Sequence, residues 1–88
     1  MVYVIVVYDI AQERVNKVCT FLKQYLNWVQ NSVFEGEITD ANLERVKFGL
    51  KEIINEEEDS VLIYQTSNQK WLTKYVVGKE KVELSNIL

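Results

Sequence analysis

From Val2 to Tyr8 the chain is nearly continuous in β-branched and aromatic residues, the pattern of a central strand covered on both faces; an edge strand would alternate with polar positions. Asp9 ends that run. Between Glu13 and Leu26 the apolar positions Val15, Val18, Cys19, Leu22, Tyr25 and Leu26 recur at spacings of three and four, while Asn16, Lys17, Thr20, Lys23 and Gln24 fill the other face, which predicts an amphipathic helix closed by Asn27. Trp28 to Ile38 is rich in strand formers and offers two places for the chain to reverse, Asn31-Ser32 or Glu35-Gly36. Thr39 suits an N-cap with Asp40 in the first turn behind it, and Leu43, Val46, Leu50, Ile53 and Ile54 form the buried stripe of a second helix, slightly weakened by Gly49.

The acidic run Glu56-Glu57-Glu58-Asp59 cannot be buried without partners and reads as a solvated loop before a strand from Ser60 to Gln65. After the polar stretch Thr66 to Gln69, Trp71 to Val77 reads as another strand, Gly78-Lys79 as its turn, and Val82 to Leu84 as a short pairing segment ahead of the apolar tail Ile87-Leu88. Strand, helix, strand-rich stretch, helix and further strands make an α+β sandwich with both helices on one face of the sheet. A terminal strand with apolar residues and no obvious place in its own sheet is suited to completing a partner's edge.

Composition narrows the chemistry. Eighty-eight residues, 48% apolar and 26% charged, suit one soluble globular domain, residues 1–88, small enough to gain burial by pairing with a second copy. A lone cysteine, Cys19, allows neither an intrachain disulfide nor a multi-cysteine zinc site and fits the cytoplasm. The run Val2 to Tyr8 is too short to span a bilayer and has neither the basic leader nor the cleavage site of a signal peptide, so no membrane association is expected. The absence of histidine removes Ser-His-Asp and Cys-His nucleophilic arrangements together with every His-ligated metal site. A net charge of −3 argues against coating nucleic acid by charge alone, but the acid is segregated: residues 35–59 net −6, residues 1–34 net +1 and residues 60–88 net +2.

Three features in order stand out: the strand end Val7-Tyr8-Asp9-Ile10, a first helix carrying Arg14 and Lys17-Val18, and the stretch Val29 to Gly36. With the Asp59 to Val61 strand opening and the Val77-Gly78 strand end, they resemble, across nearly the whole chain, a small CRISPR-associated family, CRISPR-associated protein two. The resemblance implies a ferredoxin-like βαββαβ sandwich with an extra C-terminal strand and a homodimer in which the tail, about residues 79–88, is exchanged between subunits. It further implies symmetry-related aspartates at the dimer cleft, divalent-metal-dependent endonuclease activity on RNA or DNA, and a role in spacer acquisition for antiviral defence. There the dimer would bind nucleic acid and act as scaffold for an integrase partner.

The acidic residue that matches the family's strand end is Asp9. A carboxylate at the C-terminal end of a central strand sits at a sheet rim, placed to hold a hard cation. Magnesium, or manganese in its place, takes only one or two protein carboxylates beside waters and phosphate oxygens, so two copies of Asp9 meeting in a dimer would suffice. The bland alternative is that Asp9, with Gln12 three residues on, caps the first helix. Tyr8 and Ser32 offer hydroxyls to the same cleft, with Phe34 packing behind them, although Tyr8 is equally a core tyrosine and Asn31-Ser32 equally a turn. Arg14, Lys17, Lys70, Lys74, Lys79 and Lys81 are candidates for following phosphates, against the simpler reading of scattered solubilising charges. Trp28 and Trp71 read as packing residues sooner than base-stacking ones. Two other readings remain open: a toxin-type ribonuclease of the virulence-associated D family, which is similar in fold, size and first-strand aspartate, and a ferredoxin-like assembly module without catalysis.

Overall fold

The computed structural model describes residues 1–66 and 73–79. In chain order these form β1 (Val2–Asp9), α1 (Gln12–Leu22), β2 (Asn27–Gln30), β3 (Val33–Ile38), α2 (Asp40–Ile53), β4 (Ser60–Thr66) and β5 (Thr73–Gly78). The strands make one sheet in the order β2-β3-β1-β4-β5, with every neighbouring pair antiparallel. The first six elements are the βαββαβ unit of a ferredoxin-like sandwich, and β5 extends it beyond β4. The pairing segment expected from Val82 to Leu84, the apolar tail and Trp71 lie outside the described residues.

β1 is central, as its unbroken apolar run implies, yet its two faces differ. Val2, Val4, Val6 and Tyr8 are buried, whereas Tyr3, Ile5 and Val7 are only partly covered, the period-two signature of a strand packed fully on one side. The fully packed side meets the helices: Val18 and Leu22 of α1 and Leu43, Val46 and Leu50 of α2 join Val4, Val6, Phe34, Val61 and Ile63 in the main core. On the other side, Leu62 and Tyr64 form a second apolar cluster with Ile5, Val7 and Val76. The register explains that grouping, since Ile5 stands opposite Tyr64, Val7 opposite Leu62, and Leu62 opposite Val76.

Several boundaries differ from the sequence reading for physical reasons. α1 ends at Leu22, not Leu26, because the next turn tightens: Gln24 and Tyr25 donate to carbonyls three residues back. Leu26 still donates to the Leu22 carbonyl at 2.8 Å and stays buried, which is why the apolar periodicity ran on past the helix. The chain reverses at Asn31-Ser32, with Asn31 in the left-handed region at φ 43°, a conformation asparagine tolerates; Glu35-Gly36 lies inside β3. A register shift between Trp28 and Gln30 accompanies the turn, and the Trp28 indole N–H donates to the Asn31 carbonyl at 3.0 Å. Trp28 is therefore a brace on an exposed edge, 57% exposed, and not a core residue. α2 begins as expected, the Thr39 hydroxyl accepting from the Asn42 amide at 3.0 Å.

Candidate functional site at the rim of the sheet

Asp9 is exposed, on the last residue of β1. Strand alternation places it with Ile5 and Val7 on the face away from the helices, and antiparallel pairing sets it opposite Ser60, which in turn stands opposite Gly78. On the other flank the Tyr8 amide donates to the Ser32 carbonyl at 3.1 Å. Ser32, Asp9, Ser60 and Gly78-Lys79 thus follow one another along a single rim, the carboxylate at one end of the apolar cluster of Ile5, Val7, Leu62, Tyr64 and Val76. The helix starts after Ala11, so Asp9 lies two residues ahead of the N-cap position and the capping alternative does not describe it.

Tyr8 does not share that rim. As the residue before Asp9 it points the opposite way, is 6% exposed, and stacks at a tilt on Phe34 with ring centres 6.0 Å apart. Its hydroxyl lies 3.0 Å from the Cys19 thiol of α1. Burial first, then that contact, pushes the Tyr8 hydroxyl up to about 12. The expectation of Tyr8 as a cleft hydroxyl is corrected: it is a core residue with its polar end met by Cys19. Phe34 is likewise buried, supporting β1 from within.

The cationic candidates separate as sharply. The Arg14 guanidinium is held by Asp59, with Nε 2.6 Å from Oδ2 and Nη2 3.0 Å from Oδ1, and Nη2 also meets Glu58 at 2.9 Å. Glu13 adds a further contact at 3.5 Å. With its charge met by three carboxylates, Arg14 is a structural tie and not a phosphate contact, which corrects its place among the nucleic-acid candidates. Lys17 lies on the helical layer, lining a shallow groove of about 570 Å³ with Asn16, Thr20, Phe21, Gln24, Glu52 and Ile53, away from the Asp9 face. Lys79 is exposed at the same sheet end as Asp9, two strands across. Lys74 stands in β5 opposite Tyr64, and Lys70 and Lys81 lie outside the described residues.

Asp59 departs from the solvated loop that the acidic run predicts. Glu56, Glu57 and Glu58 are exposed as expected, but Asp59 is completely buried. Its carboxylate accepts from the Ala11 amide at 2.9 Å and the Asn55 amide at 2.9 Å as well as from Arg14. The Arg14 guanidinium, against the opposing effect of burial and with help from those two amides, holds the Asp59 carboxyl well below the usual carboxylate range. Reciprocally, hydrogen bonds to Asp59 and then Glu58 raise Arg14 further above its ordinary value. At the opposite end of β1, Tyr3 donates to the Glu35 carboxylate at 2.6 Å, an interaction that raises the Tyr3 hydroxyl.

No group of three or more Cys, Asp or Glu side chains arranged to hold a metal occurs among the described residues. Among the described residues, Asp9 is the exposed carboxylate that ends the central strand at this rim, a donor that fits a hard cation completed by water, phosphate oxygens and a second copy of the site, and does not by itself make an all-protein cage. No helix among the described residues is long and apolar enough to cross a membrane.

A ferredoxin-like sheet extended by one strand, with an exposed aspartate closing its central strand, defines the architectural class. The chain matches the family described as CRISPR associated protein Cas2 over residues 1–74, and it belongs to that family. It is 58% identical over 81 residues to the CRISPR-associated endoribonuclease Cas2 2 of Archaeoglobus fulgidus, covering 92% of this chain and 88% of the relative. A crystal structure of a Cas2 protein superposes with a TM-score of 0.74 at 50% identity, covering 93% of this chain and 92% of the other. The Streptococcus pyogenes Cas2 structure gives 0.67 at 35% identity, covering 78% and 89%.

Proposed function

We propose that this chain is a homodimeric, divalent-metal-dependent endoribonuclease of the CRISPR adaptation machinery, with Asp9 as the protein ligand of the metal. The observation that carries the proposal is the position of Asp9: an exposed carboxylate at the end of the central strand, on the sheet face whose apolar cluster, Ile5, Val7 and Val76, is only partly covered within one chain. A second copy packed through that face buries the remaining apolar surface and brings a second Asp9 to the site. The relatives named endoribonucleases favour RNA as substrate.

Within this reading the roles of the residues follow from their places. Asp9 contributes a hard oxygen ligand. Magnesium or manganese bound there supplies Lewis-acid polarisation of the scissile phosphoryl group and a water acidic enough to act as nucleophile. Lys79, on the same rim, offers an ammonium to phosphate oxygens flanking the cleavage point. Tyr8 takes no part in proton transfer, because its hydroxyl faces Cys19 inside the layer. The chain acts in the cytoplasm, where a single free thiol is stable.

The adaptation role, scaffold for an integrase partner around nucleic acid, rests on family membership and requires dimer symmetry and partner contacts, not turnover. Exposed Glu56 and Glu57 are suited to orienting the dimer on a basic partner surface. Cleavage of labelled single-stranded RNA and duplex DNA with magnesium or manganese, by wild type and Asp9→Ala, tests the nuclease reading. Wild type should cut RNA and Asp9→Ala should lose at least a hundredfold; an inactive wild-type dimer would leave the scaffold role alone.

A further inference from the structure

The start of α1 is secured in an unusual way. Ala11 occupies the N-cap position and has no side chain able to cap. The cap comes instead from a residue distant in sequence, for the Ala11 amide donates to Asp59 Oδ1 at 2.9 Å. The same oxygen accepts from Arg14 Nη2 at 3.0 Å in the helix's first turn, and Oδ2 accepts from Arg14 Nε at 2.6 Å and from the Asn55 amide at 2.9 Å. The Asp59 carbonyl accepts from the Lys79 amide at 2.9 Å, fixing the end of β5 as well. Asp59 immediately precedes Ser60, the residue paired with Asp9. One buried residue, through its carboxylate and its main-chain carbonyl, therefore ties the turn that follows Asp9, the strand beside Asp9 and the rim carrying Lys79.

We propose that Asp59, acting through Arg14 and the Ala11 amide, is a positioning residue for the Asp9 site: it fixes where the Asp9 carboxylate stands relative to β4 and thereby tunes the metal and turnover. This rests on the nuclease reading of Asp9 given above. A buried ion pair is weak evidence for stability alone, because apolar residues of similar volume hold a fold equally well. What four directed donors on one carboxylate supply is fixed geometry, and outer residues that orient a ligand typically affect metal affinity or activity by about ten- to a hundredfold. Arg14 belongs to this device, its guanidinium facing carboxylates instead of substrate.

The test compares full-length wild type, Asp9→Ala, Asp59→Asn and Arg14→Lys, with folding verified by circular dichroism at the assay temperature. Asp59→Asn keeps the size but lacks the charge and two of the acceptor sites; Arg14→Lys keeps the charge and loses the two-pronged geometry, and it decides the matter if Asp59→Asn does not fold. Both folded variants should show kcat lowered about tenfold or more, KM for RNA within twofold of wild type, and half-saturation at several-fold higher manganese. A folded variant with kcat and manganese dependence within twofold of wild type overturns the proposal, as does a rise in KM alone, which would make Arg14 a substrate contact. Loss of cleavage in Asp9→Ala with full activity in Asp59→Asn and Arg14→Lys defeats this inference and leaves the site reading standing. Full activity in Asp9→Ala defeats the site reading and, with it, the positioning role.

Discussion

The Tyr8 hydroxyl and the Cys19 thiol stand 3.0 Å apart between the sheet and α1, with Asp9, the very next residue, on the far side of the sheet. Adjacent strand positions thus separate a core contact from a candidate site. Tyr8→Phe should retain cleavage within twofold of wild type and cost about 1 kcal/mol of stability, the ordinary worth of one buried hydrogen bond. Chemical denaturation and the cleavage assay check both; a large loss of turnover in a folded Tyr8→Phe dimer would return Tyr8 to the site. Because its folded-state value is raised to about 12 from an ordinary 10, the Tyr8 contribution to stability is complete below pH 10 and disappears as the pH climbs through the higher value.

Asp59 titrates in the opposite sense. Its folded-state carboxyl is held below the ordinary value, so the stability it supplies is full at neutral pH, persists above the unfolded-state value of about 3.9, and is lost as the pH falls beneath it. Asp59→Ala removes the acceptor of Arg14 Nε and of two amides, while Glu58 and Glu13 stay beside the guanidinium, and should cost about 1–3 kcal/mol at pH 7. Denaturation at pH 7 and pH 3 should show the gap between wild type and variant shrinking in acid; a gap independent of pH would contradict the ion-pair account.

Gly78 ends β5 at φ 86°, and a Cβ there would run into the Asp59 carbonyl. Gly78→Ala should therefore destabilise by roughly 1–3 kcal/mol through the backbone conformation, with the clash adding to it. Thermal unfolding measures this. An unchanged melting temperature would mean that this rim yields easily, contrary to the tie between Asp59 and Lys79.

Ile5 packs against Leu62 and Tyr64 of the second apolar cluster and is only partly covered by its own chain. Ile5→Lys puts a charge into the proposed dimer face and should give monomers by sedimentation while the main core, on the other side of β1, stays intact. A stable Ile5→Lys dimer would place the interface elsewhere.

The elements were legible in the sequence because each has a local cause: the continuous apolar run of β1, the three-to-four apolar spacing of the helices and Thr39 before α2; the choice of Asn31-Ser32 over Glu35-Gly36 for the turn, and the difference between the two faces of β1, came only from the structure. The place of Asp9 at the end of a central strand was legible for the same reason. What escaped was long-range. Asp59 reads as the last of four acidic residues, and the Arg14 that buries it lies 45 positions away, so no local pattern distinguishes it from exposed Glu56 and Glu57. The one signal was chemical: an arginine in a first helical turn with Glu13 beside it on an exposed surface, and an aspartate directly ahead of an apolar strand. Tyr8 illustrates the converse, since its identity suggested chemistry and only the strand's alternation shows which way it points.

The central claim is that Asp9 from two chains holds one divalent ion. Titration of the dimer with manganese, followed by electron paramagnetic resonance in the presence of a non-cleavable oligoribonucleotide, measures it directly. The account predicts one tightly bound ion per two chains, lost in Asp9→Ala; an ion retained by Asp9→Ala, or one independent ion per chain, would contradict it.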